Sequence, residues 1–252
     1  LGSGDIGMIM ARRLTLEGAH VQAVFEIQPY PSGLPRNIEQ CLNDYGIPLY
    51  LSHTVTEIHG NSRLTSVTVS QVDEHLKPIP GTEKEYPCDT LILSVGLIPE
   101  NELSIDAGVK LDSHTRGAVV DQYFQTEVPG IFAAGNVLHV HDLVDFVSLE
   151  AEGLAEGVAR YVKEGSLPEC GLSIQIGDGV GHVIPQKIDG RQDVALSLRV
   201  NRPMKDCRIV VYQNDRPVAE RKMKKAIPAE MIQLSLKAGK LEQEGDLEVK
   251  AE

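Results

Sequence analysis

The chain opens on Gly2-Ser3-Gly4-Asp5-Ile6-Gly7, a G-x-G-x-x-G run. Glycines at these spacings permit a tight turn, a close approach of backbone to a pyrophosphate, and close packing of a helix on a strand. Ile6, Ile9, Met10 and Leu14 follow at helical spacing, and Gly18 is placed to stop that helix. A helix starting there turns unpaired N–H groups and a partial positive charge toward an anion. Val21 to Glu26 is a short apolar run ending in an acid, read as a buried strand. Glu26 lies nineteen residues after Gly7, where a carboxylate accepts hydrogen bonds from both ribose hydroxyls of an adenosine and repels a 2′-phosphate. Turn, helix, strand and acid in this order point to NAD in preference to NADP. The plainer alternative is a glycine turn in an unrelated α/β protein, which needs no acid at that position.

Other elements must hold these residues. Residues 36–45 read as a helix, with Ile38 and Leu42 on one face. Tyr50 to Ile58, Leu64 to Val72 and Glu83 to Tyr86 read as an antiparallel meander, separated by Gly60-Asn61 and Pro80-Gly81. Thr90 to Val95, capped by Gly96, is a continuous apolar run and is expected to be a buried parallel strand. Ile131 to Ala134 is expected to be a short buried strand ending at Gly135-Asn136. A long helix follows Asp142, with Val144, Val147, Leu154 and Val158 near one face, and runs to about Val162. Gly165 to Gly181 is glycine-rich and reads as a linker. Beyond it, six runs from His182–Lys187 to Leu247–Val249 alternate with turns and suggest an antiparallel sandwich. In a dinucleotide-binding sheet the strand before the first glycine is central. Here it is reduced to Leu1, so the expectation is a polypeptide that extends upstream, or another segment filling the gap.

Composition narrows the function classes. The 252 residues are 42% hydrophobic and 24% charged, an ordinary globular balance. With 24 basic and 36 acidic residues the net charge is −12, which disfavours nucleic acid and anionic membrane surfaces. The densest basic run, Arg221 to Lys225, reads as a solvated edge strand. No apolar run spans a bilayer and no secretory signal is visible. Cys41, Cys88, Cys170 and Cys207 form no C-x-x-C pair. Scattered single thiols fit a reducing, cytoplasmic setting.

Three stretches carry a family resemblance: Gly2 to Gly7 with Glu26; Cys88-Asp89-Thr90-Leu91-Ile92-Leu93-Ser94-Val95-Gly96-Leu97-Ile98-Pro99; and Thr126-Glu127-Val128-Pro129-Gly130-Ile131-Phe132-Ala133-Ala134-Gly135-Asn136. In this order, over about residues 1–162, they resemble the NAD domain and second FAD half of the pyridine nucleotide–disulphide oxidoreductase superfamily, the two-dinucleotide-fold flavoproteins. The resemblance implies an NAD-binding domain at 1–97 with its antiparallel meander, the carboxyl-terminal part of an FAD-binding domain at 98–165, and an all-β module at 166–252. The expected class is α/β: a Rossmann-like NAD domain, a partial FAD domain and a carboxyl-terminal sandwich. By resemblance Gly2, Gly4, Asp5, Ile6, Gly7 and Glu26 serve NAD, and Gly96 is a cofactor-binding position in the glycine-proline loop that leads back from the NAD domain. Gly135 and Asn136 meet the flavin, with Asn136 where the family usually has aspartate. Leu143, Val144 and Asp145 begin a helix whose N–H groups face the flavin ring.

The resemblance implies an oxidoreductase that exchanges a hydride between NADH and FAD and passes electrons to a partner redox protein or subunit. No catalytic side chain is assigned, and an oligomer is compatible with the sequence. The family's first glycine motif, which holds the FAD pyrophosphate, is absent, so the chain alone is expected to bind FAD poorly or not at all. Two alternatives stand beside this reading: a thiol–disulphide reductase whose cysteines lie upstream, and a non-catalytic NAD-binding module. A structural scaffold is a third, disfavoured by the glycine motif and Glu26. His139, His141, Asp142 and Asp145 form a ligand-like cluster. A capping turn beside the flavin is the reading preferred there, with no metal expected; a proton-shuttling histidine is also open. The carboxyl-terminal module has His182 as its sole histidine and is expected to serve packing or partner docking.

Overall fold

The computed structural model describes residues 1–252, which divide into two compact units, Leu1–Gly96 and Leu97–Glu252. In the first, helix α1 (Asp5–Leu16) follows the glycine turn and leads to strand β1 (Val24–Glu26). Helix α2 (Pro35–Cys41) starts with proline in its first turn, where a missing N–H costs nothing. A 3-10 turn (Asn43–Tyr45) extends it, completing the helical stretch expected for residues 36–45. Strand β2 (Leu49–Leu51) pairs parallel with β1. Met8, Ala11, Val24, Cys41, Leu42 and Ile47 bury the helices against this pair.

The meander forms as β3 (His53–His59), β4 (Ser66–Gln71) and β5 (Lys84–Pro87), antiparallel throughout. The run expected to be one strand from Tyr50 breaks at Ser52, whose φ of 55° turns the chain from β2 into β3. Phe25 of β1 stacks on Tyr50 and meets Tyr86 edge-on, joining both sheets.

The expected buried strand at Thr90 to Val95 does not form. The segment runs beside Leu1, with Ser94 N–H donating to the Leu1 carbonyl, while Gly2 N–H donates to the Phe25 carbonyl. Only Leu1 and Gly2 stand between this segment and β1. The segment forms no ladder with a strand, and Leu93 and Val95 are 63% and 68% exposed.

In the second unit a short helix α3 (Glu102–Asp106) precedes irregular turns, and the long helix α4 (Val144–Glu164) ends at Gly165 in the left-handed conformation. The strand expected at Ile131 to Ala134 is also missing. Only an isolated bridge, Gln125 to Phe132, marks it, because no neighbouring strand is there to pair with it. The apolar stripe on α4 is displaced from the expected one. Val144 is 75% exposed, and Glu150 and Gly157 are the buried positions.

The glycine-rich stretch read as a linker contains structure: strand β6 (Leu172–Ile176) and the start of β7 (Val180–Ile184). The rest of the module is β8 (Lys187–Ile188), β9 (Val194–Val200), β10 (Met204–Gln213), β11 (Arg216–Ala226), β12 (Ile232–Leu236) and β13 (Leu247–Ala251). They form a five-stranded sheet, β11-β10-β13-β6-β8, and a three-stranded sheet, β12-β9-β7. Alternating residues of both sheets share one core, including Leu196, Leu198, Ile209, Val211, Leu236 and Val249. Pairing is antiparallel except for β13 with β6. The basic run lies on β11, at the edge of its sheet, as expected from its lysines. Asn214 and Asp215, both at positive φ, make the two-residue turn between β10 and β11.

The sandwich is tied to the segment before it. Gln186 exchanges bonds with Val120, Tyr123 donates to Asp189, and Ile184 joins Val109, Val120 and Leu138 in one cluster. Gly157 makes a sharp test of packing. In an exposed helix, glycine to alanine stabilises by about 1 kcal/mol. At Gly157 a Cβ would overlap the Tyr123 carbonyl oxygen. Gly157→Ala is therefore expected to destabilise the unit by about 1–3 kcal/mol; an unchanged or raised melting temperature would refute this packing.

Candidate functional site

The three motif glycines do three different things. Gly2 has φ of 93°, and a Cβ there would overlap the Ser94 carbonyl oxygen. At Gly7 a Cβ would lie 2.5 Å from Ser94 Oγ, so α1 can approach the 92–94 segment only through glycine. Gly4 is the N-cap of α1, and no side chain caps the helix there. A Cβ on Gly4 would find its nearest atom, Ser94 Oγ, at 3.6 Å, an ordinary contact. Gly2 and Gly7 are thus explained by packing, whereas a Cβ at Gly4, the uncapped start of α1, would make only ordinary contacts with Ser94.

The Asp5 carboxylate accepts from Leu34 N–H at 2.8 Å and from Asn37 Nδ2 at 2.6 Å. It braces the loop that enters α2, so its part in a ligand site is confined to its backbone. Ile6 is 71% exposed. Glu26 ends β1 as expected, but it is only 3% exposed. Its Oε2 accepts from Ser3 N–H (3.0 Å), Ser3 Oγ (2.5 Å) and Ser32 Oγ (2.6 Å), and Oε1 accepts from Gln28 N–H (2.9 Å). Burial pushes its pKa up, but these bonds from Gln28, Ser3 and Ser32 outweigh it and hold the carboxylate below its ordinary value. Ser3 and Ser32 were not singled out by sequence. Ser3 is a variable position of the motif, and Ser32 lies in a loop whose path no periodicity reveals.

Gly96 has φ of 99° and stands at the boundary of the first unit. A cleft of about 660 Å³ in this unit is lined by Leu1, Met10, Leu14, Val24 and Leu91, with neither Gly4 nor Glu26 on its wall. It is an apolar gap behind α1 and not the space in front of its N-terminus.

In the second unit Gly135 is buried at φ of 74° and opens a single 3-10 turn, Gly135–Val137. Its N–H donates to Glu150 Oε1 at 2.5 Å. Asn136 is exposed. Its Oδ1 accepts the His141 backbone N–H at 3.0 Å, so its Nδ2 donors are not used in that bond. Leu143 is the N-cap of α4 without a side-chain cap, and Val144 and Asp145 follow, all three exposed. The positive end of a 21-residue helix is thus open to a ligand.

The sequence-predicted quartet of His139, His141, Asp142 and Asp145 does not assemble. Asp142 pairs with Arg199 at 3.2 Å. Asp145 stays on the surface. His139 and His141 converge instead on Glu150, with Nε2 to Oε2 distances of 2.7 and 3.0 Å. Burial pushes the Glu150 pKa up, but the bonds from His139, His141 and Gly135 hold it down at about 2. His182 stands edge-on to His139, with burial, His139 and Arg199 pushing its pKa down to about 3. Glu150 was legible only as an acid on the inner face of an amphipathic helix.

Residues 1–155 match the family model described as Pyridine nucleotide-disulphide oxidoreductase. The chain belongs to this family. Pyridine nucleotide–disulphide oxidoreductases are FAD- and NAD(P)-dependent enzymes. The mitochondrial dihydrolipoyl dehydrogenase of Caenorhabditis elegans is 31% identical over 62% of this chain and 32% of its own length. An NADH oxidase of Methanocaldococcus jannaschii is 28% identical over 57% of this chain and 30% of its own. The crystal structure of T. acidophilum thioredoxin reductase superposes with a TM-score of 0.53 at 30% identity, covering 66% of this chain and 51% of that one. The chain therefore spans about a third of the length of these curated relatives, and the matched part ends before the sandwich.

Proposed function

We propose that this chain supplies the NAD-binding part and a flavin-contacting part of an FAD-dependent oxidoreductase, which exchanges a hydride between NADH and flavin and passes electrons to a partner redox protein or second substrate. The carrying observation is Gly4. It heads an uncapped helix, and nothing within the chain requires its missing side chain. Room for a pyrophosphate explains it. Glu26 fits the ribose: Oε1 accepts only Gln28 N–H and keeps a free lone pair. Its negative charge favours NAD over NADP.

The residues also fit a flavin. Asn136 presents a free amide donor to a ribityl hydroxyl, and the open N-terminus of α4 favours negative charge at a reduced ring. Bound flavin would supply the hydride chemistry, while these residues bind and orient it. The cysteines support the same reading. All four are free. Burial and Asp89 raise the Cys88 thiol, and burial and Asp121 push Cys170 up to about 12, so neither is an activated thiolate. Free thiols suit a cytoplasmic setting, and no helix is long and apolar enough to cross a membrane.

The test is a visible spectrum of the chain with FAD, before and after anaerobic NADH, alongside NADH and NADPH titrations followed by nicotinamide fluorescence. The expected result is saturable NADH binding, about tenfold or more weaker NADPH binding, and bleaching of any retained flavin band. NADH binding without flavin retention would leave either a need for an upstream FAD half or a non-catalytic module, and repeating the scan with upstream sequence added separates the two. Absence of NADH binding would overturn the proposal.

A further inference from the structure

His139, His141 and Glu150 have one ligand atom each, all within 4.8 Å of one another. Their side chains are 1%, 3% and 6% exposed. Two imidazole nitrogens face one carboxylate oxygen, and neither lies on a surface where water would dilute the contact.

The hydrogen positions are constrained. Asn136 Oδ1 accepts the His141 backbone N–H, which fixes that oxygen as an acceptor. The same oxygen stands 3.4 Å from His141 Nδ1. An acceptor there calls for a proton on Nδ1, and a neutral imidazole then turns its Nε2 lone pair toward the Glu150 oxygen. That contact is met either by a proton on Nε2 or by a metal ion lying between the two atoms. His139 offers a second nitrogen to the same oxygen, while its own Nδ1 is buried with no partner.

We infer that His139 Nε2, His141 Nε2 and Glu150 Oε2 bind a divalent first-row transition ion of the Zn²⁺ kind. Two histidines and one carboxylate are a recurrent ligand set for such ions. Metal-bound imidazoles commonly donate their other N–H to a fixed acceptor, the part Asn136 plays for His141. Tetrahedral bonds of about 2.0 Å separate ligand atoms by about 3.3 Å, so the ion would open the 2.7 and 3.0 Å contacts by a few tenths of an ångström. Because Glu150 Oε1 holds the Gly135 N–H, an ion here would stiffen the turn that carries Asn136.

The test uses the full chain, stripped with a chelator and dialysed. Zn²⁺ is titrated by calorimetry, bound metal is counted by elemental analysis, and Co²⁺ is added for its visible absorption. One Zn²⁺ per chain is expected, with tetrahedral Co²⁺ bands. Glu150→Gln and His141→Asn should each weaken binding by roughly 100-fold, with folding checked by circular dichroism. His75→Asn, at an exposed histidine elsewhere, should leave binding unchanged. No stoichiometric uptake by the unmodified chain would overturn the inference and leave a purely hydrogen-bonded cluster. Uptake that survives in a folded Glu150→Gln, His141→Asn double variant would overturn it as well. Both readouts are independent of NADH and flavin, so their failure is distinct from failure of the proposed oxidoreductase.

Discussion

Alanine at Gly2 is expected to unfold the Leu1–Gly96 unit, while alanine at Gly4 leaves it folded and stops it binding NADH well. At Gly2 two penalties act together. The backbone sits at φ of 93°, where an L side chain is strained by about 1–3 kcal/mol. The new methyl group would also overlap the carbonyl of Ser94, whose N–H is bonded to Leu1. Neither side can yield, because Gly2 N–H is itself held by Phe25 on the far side at 2.7 Å. The sum is about 3 kcal/mol or more, a large share of the stability of a unit this size. At Gly4 the backbone has ordinary helix-entry angles and the methyl group meets Ser94 Oγ at 3.6 Å and the Ser94 carbonyl oxygen at 3.8 Å, both ordinary contacts. Stability should change by less than about 1 kcal/mol. If a pyrophosphate lies against the backbone at Gly4, as proposed, the methyl group hinders its approach, and NADH binding should weaken by about tenfold or more. Hydrogen exchange over residues 1–96 reads stability, and fluorescence titration reads binding. If Gly4→Ala binds NADH as the parent does, the space in front of α1 is not a phosphate site.

The same contrast explains what the sequence could and could not reveal. Spacing identified the glycine motif and the helix behind it, because turn, helix and the acid on β1 are local features, but the face it marked (Ile6, Ile9, Met10) is exposed and Met8 and Ala11 are the buried residues of α1. Spacing could not say that Gly2 and Gly7 press on Ser94, a contact made across some ninety residues. The apolar runs at 90–95 and 131–134 have strand composition, yet composition supplies no neighbour. A strand is a property of a pair, and these segments have Leu1–Gly2 and an isolated bridge beside them. The sandwich was legible because its runs alternate and several strands pair with a near neighbour, as β10 does with β11; the partners of β12 and β13 lie tens of residues away. The histidine cluster was half legible. His139 and His141 declared themselves by type and spacing. Their acidic partner is Glu150, one and two turns into α4 beyond the nearby Asp142 and Asp145, because the inner face of the helix turns that residue back toward Gly135. Asp142 is taken by Arg199 on β9, which no local pattern foretells.

Glu26→Gln tests the other half of the nucleotide site and should be nearly as damaging as Gly2→Ala. The carboxylate receives four hydrogen bonds, three of them on Oε2. Bonds to a charged acceptor contribute about 1.5–3 kcal/mol each, and a buried donor left unpaired costs about 1–3 kcal/mol. An amide retains one oxygen for the Ser3 and Ser32 donors, but its NH₂ then meets the Gln28 N–H, donor against donor. The expected loss for the Leu1–Gly96 unit is about 2–4 kcal/mol at neutral pH. The pH dependence gives the sign. Burial pushes the Glu26 pKa up, the bonds from Gln28, Ser3 and Ser32 bring it below the ordinary value of 4.5, and the net is a depressed folded-state pKa. A depressed carboxylate contributes its full stabilisation above the unfolded value and loses it as pH falls through the folded one. The stability gap between parent and Glu26→Gln should therefore be flat at neutral pH and narrow as pH drops below 4.5. Denaturant titrations at several pH values, read by hydrogen exchange in residues 1–96, measure that gap. A gap that stays constant down to the acid limit would mean that the charge of Glu26 is not what holds Ser3 and Ser32. For the ligand, removing the charge should erase the preference for NADH over NADPH, because the repulsion of a 2′-phosphate goes with it. A preference that survives in a folded Glu26→Gln would move the ribose away from this carboxylate and leave Glu26 as the clasp of the glycine turn alone.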